Sequence, residues 1–322
     1  MFDTDKYSID NSKMDIKCAR KTMNELIKVG ERTYYVSGPF HIGIYDLGTK
    51  TYTDKNEVCL IDTGVDNTVA KVVDKLLIEA GFYVKMIINT HYHADHCGGN
   101  AYFKEKYNCE SYSTKLNAAM ISNFDICPAI IWGATPIREV LNNYFYATPT
   151  EADDIAECKL PEGMEYIELP GHCIGMIAVR TPDDVLFLGD AVVSRETIEK
   201  HPLSYIYEVG DYLESLEKLK TIKAGLYVPY HAEPEKKIKS LCEANIKNVM
   251  DNIDTIKKIC SEPRNIDEVI SLFFNEKGHR LSMYKYAVEG GIIKTYITHL
   301  YNKGEMTANN VDNYIKWQTN KQ

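Results

Sequence analysis

The 322-residue sequence predicts an α/β protein in which two packed β-sheets carry helices on their outer faces, followed by a C-terminal helical appendage. Two observations predict this fold class. Short strand-like runs alternate with helical patterns in two successive blocks. After His231 only helical patterns follow. We therefore expect a polar N-terminal extension at residues 1–25, a catalytic unit at 26–235 and a helical domain at 236–322.

The first block begins at Arg32 with the strand-like runs TYYVSG, IGIYDL and VCLIDTG. A helix is predicted over residues 68–80, because its valines and leucines recur at helical spacing on one face. The apolar run VKMIIN then predicts a buried strand. CESYS and TKLNAAMISNF add a further strand and helix.

The second block contains the strand-like runs MEYIELPGH, GMIAVRT and VLFLGDA, then the helical DYLESLEKLKTI and a last strand, GLYVPYH. A long helix is predicted over residues 235–260. Asn265 and Glu268 have the spacing of a capping box before a second helix, IDEVISLFF. GGIIKTYITHLYNKG predicts a third helix that ends at a glycine.

Composition excludes several classes of function. The net charge of −9 argues against a dedicated partner of nucleic acids or anionic membranes, which would show a basic surface. Nine cysteines without a CxxC pair predict reduced thiols, as in a cytoplasmic protein. The polar, acidic first residues do not resemble a secretory signal, and no apolar run approaches the ~18 residues of a membrane span.

The stretch NTHYHADHCGGN places three histidines and one aspartate within six residues, His91 to His96. A single histidine is more often a packing residue, but four ligand-type residues this close together predict a metal site. We expect a loop to carry them, because a strand would point alternate side chains to opposite faces and a helix would fan them around its axis. Tyr92 and Ala94 are then spacers.

One loop cannot complete a metal site, since zinc takes about four ligands. Three further candidates each follow a predicted strand: His172 in LPGHCIG, Asp190 in FLGDA and His231 in VPYHA. Loops that follow the strands of a packed sandwich can meet at one edge. The seven side chains are therefore expected to converge.

In this order and at these separations, HxHxDH, GH, GD and a final histidine resemble the metallo-β-lactamase fold superfamily. The resemblance covers about residues 33–235 and includes LIDTG at residues 60–64. It implies an αββα sandwich of two mixed β-sheets. It also implies two divalent metal ions, for which zinc is the first choice and iron or manganese also suit the ligands.

The resemblance assigns a role to each candidate ligand by its position. The first ion would be held by three histidines, His91, His93 and His172. The second ion would be held by Asp95, His96 and His231. Asp190 would bridge the ions, which would share a hydroxide, and Asp62 would steady the ligand loop.

Two such ions, ~3.5–4 Å apart, can lower the pKa of a bound water and polarise the bond under attack. The hydroxide would be the nucleophile, and Asp95 could pass a proton to the leaving group. Asp95 and Asp190 are the predicted catalytic residues. Within the superfamily the sequence resembles glyoxalase II-type thioesterases and acyl-homoserine-lactone lactonases, which implies a metal-dependent hydrolase that cleaves an ester, thioester or lactone bond in a small-molecule substrate.

Four other functions compete with this expectation. A mononuclear iron persulfide dioxygenase would not need the complete second set of ligands, and one iron with oxygen uptake would identify it. A nuclease of the same fold would lose RNA cleavage steeply with rising salt. An open coordination position disfavours a binding module whose metal is only structural. His93 stands where flavodiiron oxygen reductases carry a glutamate, which disfavours that branch.

Residues 125–155 form an apolar, aromatic insertion that predicts either a lid or pocket wall for an apolar acyl or aromatic group, or a packing surface for the core or a second subunit. The predicted substrate-pocket residues are Trp132, Tyr144 and Tyr146. If the insertion is a lid, Trp132→Ala should change substrate affinity more than stability. The helical appendage is expected to be a buttress or a homodimer contact, with RLSMYKYAVEGG as its likeliest contribution to the pocket.

Overall fold

The computed structural model describes residues 25–142, 144–201 and 203–320. The predicted N-terminal extension lies outside these residues, except for Glu25, which begins the first strand.

In the described part of the chain, the larger sheet has seven strands that lie side by side in sequence order. Its first four strands are antiparallel, and parallel pairing follows from the fourth to the seventh. The strands are β1 (Glu25–Lys28), β2 (Thr33–Ser37), β3 (Ile42–Lys50), β4 (Asn56–Ile61), β5 (Phe82–Ile88), β6 (Glu110–Ser113) and β7 (Asp153–Asp154).

The smaller sheet has the strand order β11-β10-β9-β8. Strands β8 to β10 are antiparallel, and β11 pairs parallel with β10. Both sheets are therefore mixed, as the resemblance implies. The strands are β8 (Glu165–Glu168), β9 (Ile177–Arg180), β10 (Val185–Phe187) and β11 (Leu226–Val228).

The helices of the sandwich lie between these strands in the chain. They are α1 (Asn67–Glu79), α2 (Ala94–Cys97), α3 (Asn100–Tyr107), α4 (Lys115–Ser122), α5 (Cys127–Trp132), α6 (Arg195–Lys200) and α7 (Val209–Leu219). Helix α1 begins where the side chain of Asp66 accepts hydrogen bonds from the backbone N–H groups of Thr68 and Val69.

The central strands β3, β4 and β5 bury residues on both of their faces, and this produces the layers. Tyr45, Ile61 and Ile88 meet Phe187 and other residues of the smaller sheet in a central core. Their chain neighbours point the opposite way, as strand geometry requires. These neighbours are Ile44, Leu60 and Ile87, which pack with residues of α1 and α3. The prediction of two sheets with helices outside is thus confirmed.

The C-terminal segment contains the predicted helices and one element that was not predicted. Its helices are α8 (Lys239–Ile259), α9 (Ile266–Glu276) and α10 (Met283–Asn302). The capping box of α9 is confirmed, with Asn265 and Glu268 each bonding the other's backbone N–H.

The expectation that only helices follow His231 is wrong at the end of the chain. Strands β12 (Met306–Val311) and β13 (Tyr314–Thr319) form an antiparallel hairpin. Its two-residue turn, Asp312 and Asn313, has both φ angles positive, and such turns join strands tightly. The run MTANNV carries too little apolar alternation to predict a strand. It forms a strand because it pairs with β13.

The described cysteines are all free. Among the described helices, none combines the length and apolar character of a membrane span.

Candidate metal centre

The seven predicted ligands meet at one edge of the sandwich, each in a segment that follows a strand end. His91, His93, Asp95 and His96 follow β5, and the other three follow β8, β10 and β11. They form two groups, and within each group the candidate ligand atoms lie within 4.8 Å of one another. The first group is His91, His93 and His172; the second is Asp95, His96, Asp190 and His231.

The carrier of the cluster differs in part from the expected loop. His91 and His93 do lie in irregular backbone after β5. Asp95 and His96, however, lie in the one-turn helix α2, whose first turn is closed by the N–H of His96 donating to the carbonyl of His93. In an α-helix each side chain is rotated by about 100° from the one before it. This rotation separates Asp95 and His96 from the preceding histidines.

Three ring nitrogens converge in the first group. His93 Nδ1 lies 3.0 Å from His91 Nε2 and 2.9 Å from His172 Nε2. Burial is the main cause that lowers the pKa of all three histidines, and it brings the pKa of His93 to about 3. The rings are therefore neutral at physiological pH. Three neutral imidazoles facing one point suit a cation.

The second group combines imidazoles with carboxylates. His231 Nε2 lies 3.0 Å from Asp95 Oδ2, and His96 Nε2 lies 3.2 Å from Asp190 Oδ1. His96 Nε2 and Asp190 Oδ1 are both buried, and neither meets the geometry of a hydrogen bond. Buried polar atoms without partners are rare, so this pair fits a position where a cation would complete the contacts.

Charges dominate the titration of the second group. Burial lowers the pKa of His96 and of His231, but Asp190 and the neighbouring carboxylates outweigh it and raise both pKa values. Burial raises the pKa of Asp95 and Asp190, but nearby histidines outweigh it and lower both pKa values. The carboxylates are thus ionised, and the two groups differ in how strongly protons compete for their nitrogens.

Asp190 stands between the two groups. Its Oδ2 lies 3.4 Å from His172 Nε2 of the first group. Its Oδ1 lies 3.2 Å from His96 Nε2 and 3.7 Å from His231 Nε2 of the second group. The two oxygens of one carboxylate therefore face different groups, which is the placement that a bridging ligand needs.

Steric requirements explain why the GH and GD motifs contain glycine. Gly189 has φ +51°, and a Cβ there would lie 2.8 Å from Thr90 Oγ1. Gly171 has φ +118°, and a Cβ there would lie 2.2 Å from the backbone nitrogen of Tyr212. Only glycine fits both requirements without strain. Each motif thus lets the chain turn directly before a ligand, His172 or Asp190.

Asp62 connects β4 to the ligand loop. Its Oδ1 accepts a 2.8 Å hydrogen bond from the N–H of Thr90, and its Oδ2 accepts another of 2.8 Å from Thr90 Oγ1. Oδ2 also lies 2.8 Å from His96 Nδ1. With Nδ1 held in this way, His96 directs Nε2 toward the second group. His172 is oriented similarly, since its Nδ1 lies 2.9 Å from the carbonyl of Tyr205.

A cleft of about 210 Å³ opens beside the two groups. His93, Asp95, His172 and Asp190 line its inner end. Its other lining residues are Tyr92, Ala94, Phe124, Cys127, Ile131, Tyr144, Phe145, Tyr205, Tyr284 and Val288. The metal-side wall is thus polar, while most of the remaining wall is aromatic or aliphatic.

Only one of the three predicted pocket aromatics lines the cleft, namely Tyr144. Trp132, the last residue of α5, instead packs in a cluster with Val140 and Val288, and its neighbour Ile131 lines the cleft. Tyr146 packs against Phe124, with ring centroids 6.3 Å apart. The structure thus places Trp132 and Tyr146 outside the lining of this cleft, since apolar composition alone does not say which side of a short helix or turn faces a cavity.

Several lining residues were missed or given a lesser role. Tyr92 is more than a spacer, since its side chain lines the cleft. Tyr205 carries no motif, and only the fold brings it beside His93 and His172. Tyr284 and Val288 do lie in RLSMYKYAVEGG, the segment expected to contribute to the pocket.

Residues 52–231 match the Metallo-beta-lactamase superfamily, which is more than half of the chain. The chain belongs to this superfamily. The match includes every candidate ligand and confirms the resemblance stated from the sequence. The imidazole and carboxylate donors fit divalent metal ions.

Two curated relatives match part of the chain. A hydroxyacylglutathione hydrolase from Pelagibacter ubique is 40% identical over 72 residues, which are 22% of this chain and 28% of the relative. A probable metallo-hydrolase from Methanocaldococcus jannaschii is 26% identical over 136 residues, which are 41% of this chain and 61% of that protein. In both cases the match spans less than two thirds of the relative.

The structural likeness to one solved protein extends beyond residues 52–231 into the C-terminal segment. The crystal structure of a beta-lactamase domain protein from Burkholderia ambifaria superimposes with a TM-score of 0.70. The alignment covers 92% of this chain and 95% of that protein at 16% identity. At this identity the likeness concerns the fold alone.

Proposed function

We propose that this protein is a dinuclear metal-dependent hydrolase that cleaves an ester, thioester or lactone bond in a small molecule. The observation that carries the proposal is the position of Asp190, whose two carboxylate oxygens face the two ligand groups separately. Partial identity to a hydroxyacylglutathione hydrolase also supports hydrolysis.

His91, His93 and His172 would hold one divalent ion, while Asp95, His96 and His231 would hold the other, with Asp190 shared. Two bound ions, with zinc as the first choice, would lower the pKa of a water molecule and polarise the substrate carbonyl. The neutral rings of the first group and the ionised carboxylates of the second suit this pair of ions.

Asp95 is the proposed proton carrier. It lines the cleft and lies 3.0 Å from His231 Nε2, so its carboxylate stands between the ligand groups and the space for a substrate. Its lowered pKa keeps the carboxylate ionised. In this form it can accept a proton from the attacking water. It can then return that proton to the departing alkoxide or thiolate.

The test combines metal analysis with a substrate panel. The purified protein should contain two equivalents of metal per chain and hydrolyse members of a panel of esters, thioesters and lactones. His91→Ala should remove one of the two equivalents of metal and abolish the activity. His279→Ala is the matched control, because it makes the same chemical change at a residue outside both ligand groups.

One equivalent of iron, with oxygen consumption on a persulfide and no hydrolysis, would contradict the proposal. It would identify an oxidoreductase instead. Metal-dependent cleavage of RNA without hydrolysis of the panel would contradict it in favour of a nuclease.

A further inference from the structure

A second groove of about 410 Å³ adjoins the metal-side cleft. It runs between α5 of the insertion, residues 205–208 and α10 of the C-terminal segment. Ile131, Tyr205 and Val288 line both cavities. The two spaces therefore adjoin at these three side chains, past which a ligand at the metal centre would extend to enter the groove.

Much of the lining of the groove is apolar, and its polar lining residues are Glu208, Lys294, Thr295, Thr298 and Asn302. Ile206 and Ile292 are buried in its lining. Ile130 and Tyr207 also line it, yet they are 51% and 49% exposed. Large apolar side chains that converge on one open groove indicate a surface for an apolar ligand.

The charge of the cleft restricts what lies next to the metal centre. Among the described lining residues of the cleft there is no lysine or arginine. Its acidic residues, Asp95 and Asp190, face the space where the reacting bond would lie. A carboxylate on the acyl chain would therefore find no cationic side chain in this lining to pair with. Lys294 lines only the second groove.

We infer that the substrate is an ester, thioester or lactone of an elongated, largely apolar acyl chain, an inference that rests on the proposed hydrolase function. The carbonyl lies in the cleft beside Asp95 and Asp190. The chain passes over Ile131, Tyr205 and Val288 into the second groove. Water adds its oxygen to the acyl carbon, the carbon–oxygen or carbon–sulfur bond breaks, and the alcohol or thiol leaves with a proton. The acyl product is a carboxylic acid.

Gly291 provides a selective test of this groove. It lies in α10 and lines the groove, and a Cβ built there meets no atom within 4 Å. Gly291→Leu should therefore fill the groove without displacing its neighbours. Gly291→Ala is the matched control, because it makes the same gain in helix propensity while adding only one methyl group.

The experiment measures kcat/KM for butanoyl, octanoyl and dodecanoyl thioesters. The wild-type protein should prefer the longer chains by about tenfold or more, since each buried methylene adds to binding. Gly291→Leu should lower kcat/KM for the dodecanoyl thioester by about tenfold and change that for the butanoyl thioester by less than about twofold. Gly291→Ala should keep the wild-type preference.

Equal rates for all chain lengths, or a Gly291→Leu variant that keeps the long-chain preference, would overturn the inference while leaving hydrolysis intact. Preference for an acyl chain with a carboxylate beside the reacting bond would also overturn it. Binding of dodecanamide, measured by calorimetry, separates the two proposals. If no thioester or lactone is cleaved but dodecanamide binds wild type and not Gly291→Leu, the groove assignment stands and the hydrolase proposal fails.

Discussion

Asp190 is the residue with the largest expected effect on the metal centre. Asp190→Ala removes the carboxylate whose oxygens face both ligand groups. Activity on the best substrate should fall by on the order of a thousandfold, equivalent to about 4 kcal/mol of transition-state stabilisation. Metal content, measured by plasma emission spectrometry, should fall below two equivalents.

Asp251→Ala serves as the control for this substitution, because Asp251 forms an exposed ion pair with Lys247 on α8. Full metal content together with wild-type activity in Asp190→Ala would remove Asp190 from the proposed bridging role.

The two ligand groups should respond differently to pH. The pKa values of His96 and His231 are raised by neighbouring carboxylates, so protons compete for their nitrogens already near neutral pH. The pKa values of His91, His93 and His172 are lowered, mainly by burial, so these rings stay deprotonated in mild acid. As pH falls toward about 6.5, the ordinary pKa of histidine, the second group should lose its metal first.

Equilibrium dialysis over a pH series can measure this difference. His231→Ala isolates the first group, and His91→Ala isolates the second. A common pH dependence of metal loss in the two variants would contradict the electrostatic description of the groups.

Asp62 should act through the ligands rather than on the substrate. Asp62→Asn keeps the size of the side chain but weakens its contacts with Thr90 and His96. Metal affinity should fall about 10–100-fold, as is typical when an orienting partner of a ligand histidine is removed. With saturating metal, KM should stay near its wild-type value, whereas a large change in KM alone would point to direct substrate contact.

At the scale of elements, the insertion at 125–155 both lines the cleft and packs on the C-terminal segment. Ile131, Tyr144 and Phe145 line the cleft. Val140 is fully buried against Ala287 and Val288 of α10. The two predicted roles, pocket wall and packing surface, therefore fall on different faces of the same segment.

This division changes the expected result for Trp132→Ala. Because Trp132 packs beside Val140 and outside the cleft, the variant should lower the free energy of unfolding by about 2 kcal/mol, less than a fully buried tryptophan would. KM should change by less than about threefold. Phe145→Ala, in a cleft-lining residue, should raise KM more strongly.

Denaturant unfolding and steady-state kinetics on the same preparations would compare the two variants. A large rise in KM for Trp132→Ala with unchanged stability would restore Trp132 to the substrate pocket and contradict the packing assignment.

At the scale of the whole molecule, the sandwich and the C-terminal helices share one hydrophobic core. One buried cluster contains residues of both parts: Leu186 of β10, Leu188 just after it, Leu216 of α7, and Ile253 and Tyr296 of the C-terminal helices. Removing residues 236–322 would expose this cluster and also delete Tyr284 and Val288 from the cleft.

The fragment 1–235 should therefore lack a cooperative thermal transition and activity. A chain that ends at residue 304 is the control, because it loses the terminal hairpin but keeps all three helices. A fragment 1–235 that melts cooperatively would show that the sandwich folds independently. The predicted homodimer and cytoplasmic location stay predictions.

Local chemistry made the order of elements and the identity of the ligands predictable. Strand and helix periods are properties of neighbouring residues, so α1 and the capping box of α9 were found within a residue or two. The ligand types and their positions after predicted strands were also visible in the sequence, and the structure brings all seven together.

The tertiary structure alone decided how distant segments meet. It placed the oxygens of Asp190 toward different ligand groups, paired MTANNV with YIKWQT, and brought Tyr205 and Tyr284 to the cleft. It also turned Trp132 away from that cleft. Periodicity and composition describe what each segment can bury, whereas the partner of a buried or converging side chain depends on segments far away in the chain.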